Sequence, residues 1–188
     1  MVGGRGPKST TDVTAAAAAD AASLVQRTRR VMREMRSLAK NPHSACSVFP
    51  NEDDVSYWRV LIKGAENTPY QGGIWCLQIV FPGEFPVKPP SVRFITPIRH
   101  VNVSIQGRVC HAILDRAWSP EQTMRDVLSQ IYGLMMTPEK DDPLDSNLAS
   151  MLNTSDGRGR YEATVQAFVE THAKGKTLAE WERELMGR

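Results

Sequence analysis

Apolar positions along this chain change period twice, and each change marks a different kind of element. Leu24, Thr28, Val31, Met35 and Leu38 recur at spacings of four and three, leaving Arg27, Arg29, Arg30, Arg33 and Arg36 on other faces. That pattern predicts an amphipathic helix. Asn41-Pro42 should end it, because the residue before a proline is pushed out of helical dihedrals. Between residues 46 and 95 the period drops to two, in runs at Tyr57–Lys63, 74–81 and 91–95, with a shorter segment at 46–49. These are predicted strands. Turn residues join them (Glu66-Asn67-Thr68-Pro69, Gly72-Gly73, Pro82-Gly83), and the connections are short enough for an antiparallel meander.

Past Thr96 the regular pattern stops for more than twenty residues. Ser119-Pro120-Glu121-Gln122 then supplies an expected N-cap, first-turn proline and capping-box glutamine. The stripe Met124, Val127, Leu128, Ile131 and Met135 is broad enough for a helix lying across a sheet. Further helices are predicted at Leu148/Met151/Leu152, at Tyr161/Val165/Phe168, and at Leu178/Trp181/Leu185 behind a Thr177…Glu180 capping box. The order is N-terminal helix, four-stranded meander, long loop, central helix and C-terminal helices: an α+β fold with helices and strands segregated.

At 188 residues the chain is sized for one domain with an extension at each end. Residues 1–22, glycine-rich and then alanine-rich, read as a flexible tail with no face to bury. Residues 23–175 read as the folded domain and 176–188 as a helical extension. Apolar residues make up 41% and charged residues 23%, an ordinary globular composition. The net charge is 23 − 21 = +2, without the clustered excess that nucleic-acid binding needs. No apolar run approaches the roughly 20 residues that cross a bilayer, since even 74–81 is broken by Gln78. A soluble protein with no membrane partner is therefore expected. Residues 15–19 are too weakly hydrophobic for a secretory core, and Val2 leaves no myristoylation signal. Three dispersed cysteines, Cys46, Cys76 and Cys110, argue against a disulfide framework and a zinc site, and point to reducing cytoplasm or nucleus.

A long aperiodic loop inside a compact domain is commonly functional. This one carries His100, Asn102, Cys110, His111 and Asp115, with Trp118 at its exit and Pro86-Val87-Lys88-Pro89-Pro90 leading in. Six segments in order resemble the successive signatures of ubiquitin-conjugating enzymes: Tyr70-Gln71-Gly72-Gly73, Phe85 to Pro90, His100-Val101-Asn102, Gly107-Arg108-Val109-Cys110, Trp118-Ser119-Pro120 and Asp141-Asp142-Pro143-Leu144. They cover about residues 24–172, with eight positions from Asn102 to Cys110.

The resemblance implies the fold of that family. It also implies a cysteine that accepts ubiquitin, or another ubiquitin-like modifier, from an activating enzyme in an ATP-dependent pathway, then passes it to a substrate lysine, usually with a ligase. No cofactor or metal is implied. Cys110 would be the acyl carrier, and it must reach its thiolate from an unperturbed pKa of about 8.5. Cys76, mid-strand, reads as packing, and Cys46 has no catalytic context. Asn102 matches the residue that stabilises the oxyanion or holds the loop that does. Asp142 matches the carboxylate that orients the incoming amine and helps it lose its proton.

His100 and Trp118 read as structural residues of the active-site loop, and His111, beside Cys110, as a weaker candidate for tuning the thiol. Arg29, Arg30 and Arg33 match the surface that meets the activating enzyme. Pro86, Val87, Ser119 and Pro120 match the ligase-docking loops, and Ser47 an opposite-face surface for a second, non-covalent ubiquitin. Val101 replaces a usual proline, which would leave Asn102 less rigidly placed, and Ala112 replaces a frequent acidic residue. Val87 stands where many relatives carry a large aromatic. The alternatives are a non-catalytic binding variant of the fold, against which Cys110 and Asn102 speak, and a thiol hydrolase, for which no general base stands at a convincing spacing.

Overall fold

A computed structural model of the protein describes residues 10–187. Helix α1 runs over Thr10–Lys40 and stops before Asn41-Pro42, as the proline demands. Its start is a correction: residues 10–22, expected as part of a tail, are helical, while residues 1–9 of that expectation lie outside the described residues. The alanines at 15–19, 21 and 22 explain the difference, since alanine has the highest intrinsic helix propensity and needs no apolar stripe to extend an existing helix. Deeper along α1, Val31 and Leu38 turn into the core.

Four strands follow, β1 Cys46–Pro50, β2 Tyr57–Lys63, β3 Ile74–Val80 and β4 Ser91–Phe94. They form one antiparallel sheet in the order β1-β2-β3-β4, with Cys46 opposite Ile62, Leu61 opposite Cys76 and Leu77 opposite Phe94. The period-two alternation puts Trp58, Val60, Ile62, Trp75, Leu77, Ile79, Val92 and Phe94 into the core. Helix α2, Met124–Met136, lies over that face through Met124, Val127, Leu128, Ile131, Leu134 and Met135.

The cap of α2 is a second correction. Thr123 is the N-cap and Asp126 completes the capping box, whereas Ser119 and Gln122 close a turn ahead of the helix, with Gln122 N donating to Ser119 O at 3.0 Å. The carbonyls of Pro120 and Gln122 are taken by the Arg30 guanidinium, so they do not start the helical ladder. Helices α3, Ser146–Leu152, and α4, Gly157–His172, pack together. On α4 the core positions are Tyr161, Val165 and Val169, while Phe168 stacks on His172 at 4.1 Å instead of entering the core. Helix α5, Leu178–Met186, has its predicted Thr177–Glu180 capping box and buries none of its residues. Among the described residues no helix is long and apolar enough to cross a membrane.

The segment between β4 and α2 is not featureless. Isolated bridges pair Arg93 with Arg108, His100 with Val103 and Val103 with Val109, and a single 3-10 turn spans Ala112–Leu114. Gly107 makes this folding possible. It has φ +83°, and a Cβ there would sit 2.0 Å from the Phe94 carbonyl, which itself faces a chain that must pass this close to donate Phe94 N to Gly107 O at 2.8 Å.

Candidate active site

Cys110 sits where the last bridged residue of the loop, Val109, gives way to the 3-10 turn. Its backbone N–H donates to Asn102 O at 2.9 Å, and its side chain is partly exposed in a groove of about 480 Å³. The Sγ lies 3.7 Å from Asp142 Oδ2 and donates toward it. Partial burial, first, and then the Asp142 carboxylate, by charge and hydrogen bond, raise the thiol above its ordinary pKa. Arg108 pulls the other way and Glu139 adds a small further rise. The resting group is thus a protonated, reachable thiol.

Asn102 is fully buried, and its side chain grips the segment that carries Asp142. Its Nδ2 donates to Glu139 O at 2.7 Å and to Asp142 O at 3.4 Å, and its Oδ1 accepts from Glu139 N at 2.9 Å. The Val101 carbonyl accepts from Leu144 N at 2.8 Å and Asp145 N at 3.0 Å. One loop residue therefore holds each end of the 139–145 segment. The looser Asn102 expected from the missing proline is not what the structure contains: the amide is bonded on both of its polar atoms. In this arrangement the Asn102 amide is spent on the backbone of the 139–142 segment.

His100 is buried and bonded through both ring nitrogens. Nδ1 accepts from Asn102 N at 2.9 Å, which leaves the proton on Nε2 to donate to Leu134 O at 2.9 Å. Burial lowers its pKa to about 4, so it is a neutral structural imidazole. Trp118 Nε1 donates to Pro86 O at 2.9 Å, tying the exit of the loop to the segment leading into it. Both ring nitrogens of His111 are engaged away from the thiol: Nδ1 accepts from Ile113 N at 3.1 Å, and Nε2 meets Glu139 Oε1 at 3.2 Å. Of the other cysteines, Cys76 is buried in β3, and burial pushes Cys46 up to about 12.

The predicted partner surfaces divide. Arg29 and Arg33 are exposed and, with Val25 and Pro86, line a shallow groove of about 650 Å³. Val87 projects at 70% exposure beside it, and Pro120 is exposed. Arg30, grouped with Arg29 and Arg33 from its sequence position, is a correction: it is 6% exposed, its Nε bonds Glu34 Oε1 at 2.6 Å, and its Nη atoms bond the Pro120 and Gln122 carbonyls. Glu34 Oε2 in turn accepts from Met124 N at 2.8 Å. A buried arginine this fully satisfied holds α1 to the 119–124 turn and offers nothing outward. Ser47 is half-buried on β1 opposite Leu61.

Sequence reasoning missed Glu139, Arg108 and Glu34. Their signals were local: Glu34 stands four residues after Arg30, Glu139 three before Asp142, and Arg108 two before Cys110.

Against known sequences, residues 30–169 match the family described as Ubiquitin-conjugating enzyme. The chain belongs to the ubiquitin-conjugating enzyme family. A curated relative, "Probable bifunctional E2/E3 enzyme R795" of Acanthamoeba polyphaga mimivirus, is 43% identical over 148 residues, covering 79% of this chain and 11% of that protein. The chain spans only that small part of the relative it matches. For a conjugating-enzyme domain, the four-stranded antiparallel meander with a helix first and the central helix over its face is the fold in hand. The matched stretch includes Asn102, Cys110 and Asp142, and leaves α5 and the first part of α1 outside it.

Proposed function

We propose that the protein carries ubiquitin as a thioester on Cys110 and transfers it to a substrate lysine. In the first step the Cys110 thiolate attacks the thioester carbonyl of the charged activating enzyme. A new S–C bond forms and the activating enzyme's thiolate leaves, so one thioester replaces another. In the second, a neutral lysine amine attacks that carbonyl, an N–C bond forms, the Cys110 thiolate departs, and the surplus ammonium proton passes to Asp142 and on to water. No oxidant, metal or cofactor enters either balance.

The observation that supports this reading best is the placement of the Cys110 sulfur in an open groove 3.7 Å from the Asp142 carboxylate, on a loop held by the buried Asn102 amide. The carboxylate suits the second step. It orients the incoming amine and takes the proton released as the N–C bond forms, while it disfavours a standing thiolate between turnovers. Asn102 contributes by holding the 139–142 backbone that borders the reacting carbonyl. The exposed Arg29 and Arg33 suit an acidic face on the activating enzyme. Val87 and Pro86, with Ser119 and Pro120, form the apolar-edged loops for a ligase, joined by the Trp118–Pro86 hydrogen bond. A reducing compartment, cytoplasm or nucleus, keeps the carrier thiol competent. Ser47 remains the position for a second ubiquitin on the opposite face.

The test is incubation with activating enzyme and ATP, offering ubiquitin and other ubiquitin-like modifiers in parallel. Charging by ubiquitin, followed by discharge onto free lysine, is expected. Charging only by a different modifier reassigns the substrate. Charging by none makes the domain a non-catalytic binding variant.

A further inference from the structure

The Cys110 groove has two walls from different parts of the chain, and one side-chain pair joins them. On one wall, the residues just after Cys110 enter the 3-10 turn Ala112–Leu114, capped by His111 through Nδ1 at 3.1 Å from Ile113 N. On the other, the 139–142 segment carries Asp142, and its backbone is anchored to Asn102 and Val101. Both of those anchors lie before Cys110 in the chain. Neither Asn102 nor Val101 belongs to the wall that follows the cysteine. His111 Nε2 to Glu139 Oε1, at 3.2 Å, spans that gap.

The tautomer follows from the geometry. Nδ1 is occupied as an acceptor from a backbone N–H, so the imidazole proton sits on Nε2 and points at the Glu139 carboxylate. The histidine ring is well covered, at 10% side-chain exposure, so its orientation is set by packing, and Glu139, at 41%, comes to it. Arg108, Asp115, Arg116 and Asp142 line the same groove, and no salt bridge joins any of them to His111 or Glu139.

We propose that the His111–Glu139 pair is a positioning latch that closes the groove to the width at which Asp142 reaches the Cys110 sulfur. Neither residue touches the reacting atoms. They act through the 139–142 backbone, and so bear on the lysine-attack step, which uses Asp142, more than on the charging step, which does not. This inference rests on the thioester reading above.

The experiment measures single-turnover discharge of the ubiquitin thioester onto free lysine, relative to charging by the activating enzyme, in the full chain. His111→Asn keeps a side-chain oxygen to cap Ile113 but is too short for Glu139. Glu139→Ala keeps both backbone bonds to Asn102 and removes the carboxylate. In each variant the discharge-to-charging ratio is expected to fall about fivefold, as for loss of a partly exposed, singly hydrogen-bonded pair. The double variant should fall no further than either single, and Glu139→Gln, which still accepts from Nε2, should recover most of the rate.

Unchanged discharge in both singles, a double loss equal to the product of the single losses, or a Glu139→Gln variant as slow as Glu139→Ala would each overturn the latch while leaving the thioester reading intact. Failure of the unaltered protein to charge at all would overturn both.

Discussion

Replacing Asp142 with asparagine should move two reactivities of the same sulfur in opposite directions. In the native protein the carboxylate lies 3.7 Å from Sγ, accepts the thiol hydrogen bond and raises the thiol pKa. Asp142→Asn keeps the shape and an acceptor oxygen but removes the charge, leaving burial and the opposing pull of Arg108 as they are. Two unit charges about 4 Å apart in a water-like dielectric interact by about 1 kcal/mol, and the groove is open enough for that limit to apply. The thiolate fraction of Cys110 at neutral pH should then rise about fivefold. The assay is alkylation by iodoacetamide at low salt, read by mass spectrometry on the Cys110 peptide so that Cys46 and Cys76 do not interfere. Alkylation should run about fivefold faster in the variant and the gain should shrink as salt is added. Discharge of a loaded thioester onto free lysine should slow by about tenfold or more, since the amine loses its proton acceptor. A variant whose thiol reacts no faster than the native one would show that the carboxylate does not face the sulfur in solution, and the assignment of Asp142 would fall with it.

Three further outcomes follow from groups outside the groove. His100 is neutral when folded, with its pKa lowered from 6.5 to about 4, so below pH 6.5 the unfolded chain binds a proton that the folded chain refuses. Its contribution to stability is complete above pH 6.5 and is lost as pH falls to about 4, about 3 kcal/mol in all. Urea midpoints at pH 7 and 4.5 should therefore drop further in the native protein than in His100→Gln, and equal drops would refute the buried-neutral assignment. Arg30→Ala strands the buried Glu34 carboxylate and should cost about 3–5 kcal/mol, a Tm loss on the order of 10 °C for a chain of this size. Arg33→Ala, at an exposed site, should leave stability within about 0.5 kcal/mol while slowing charging by the activating enzyme. A Tm unchanged by Arg30→Ala would contradict its role between α1 and the 119–124 turn.

The strands were legible because burial on one face imposes a two-residue period that survives in the sequence, and Tyr57–Lys63 needed no other signal. Helix starts were harder to read, for two separate reasons. The first turns of α1 are held by alanine's propensity, which leaves no amphipathic trace, so residues 10–22 looked like a tail. Before α2, two overlapping capping patterns compete, Ser119 with Gln122 and Thr123 with Asp126. The tertiary contact that decides between them is made by Arg30, 90 residues upstream of Pro120. A single basic residue within a run of arginines carries no mark of burial, which is why Arg30 read as surface. On α4, Phe168 and Val169 are both apolar neighbours, and only the way the helix packs determines that Val169 enters the core.

At the site, the candidate residues come from the spacing of familiar segments, whereas the contacts holding them leave no such mark. That Asn102 uses both amide atoms on the 139–142 backbone, and that the Val101 carbonyl takes over the far end, depends on the loop folding back through bridges at 100–109. The consequence is concrete. With valine at 101, Asn102 is held by hydrogen bonds to residues more than thirty positions away.

The acyl-carrier role of Cys110 is tested most directly by the chemistry of the bond it forms. After incubation with activating enzyme, ATP and ubiquitin, the native protein should carry one modifier on the Cys110 peptide, released by excess thiol. Cys110→Ser should give, at the same position, an oxygen ester that thiol does not cleave. An adduct that survives thiol in the native protein, or that persists in Cys110→Ala, would place the bond on another residue and contradict the account.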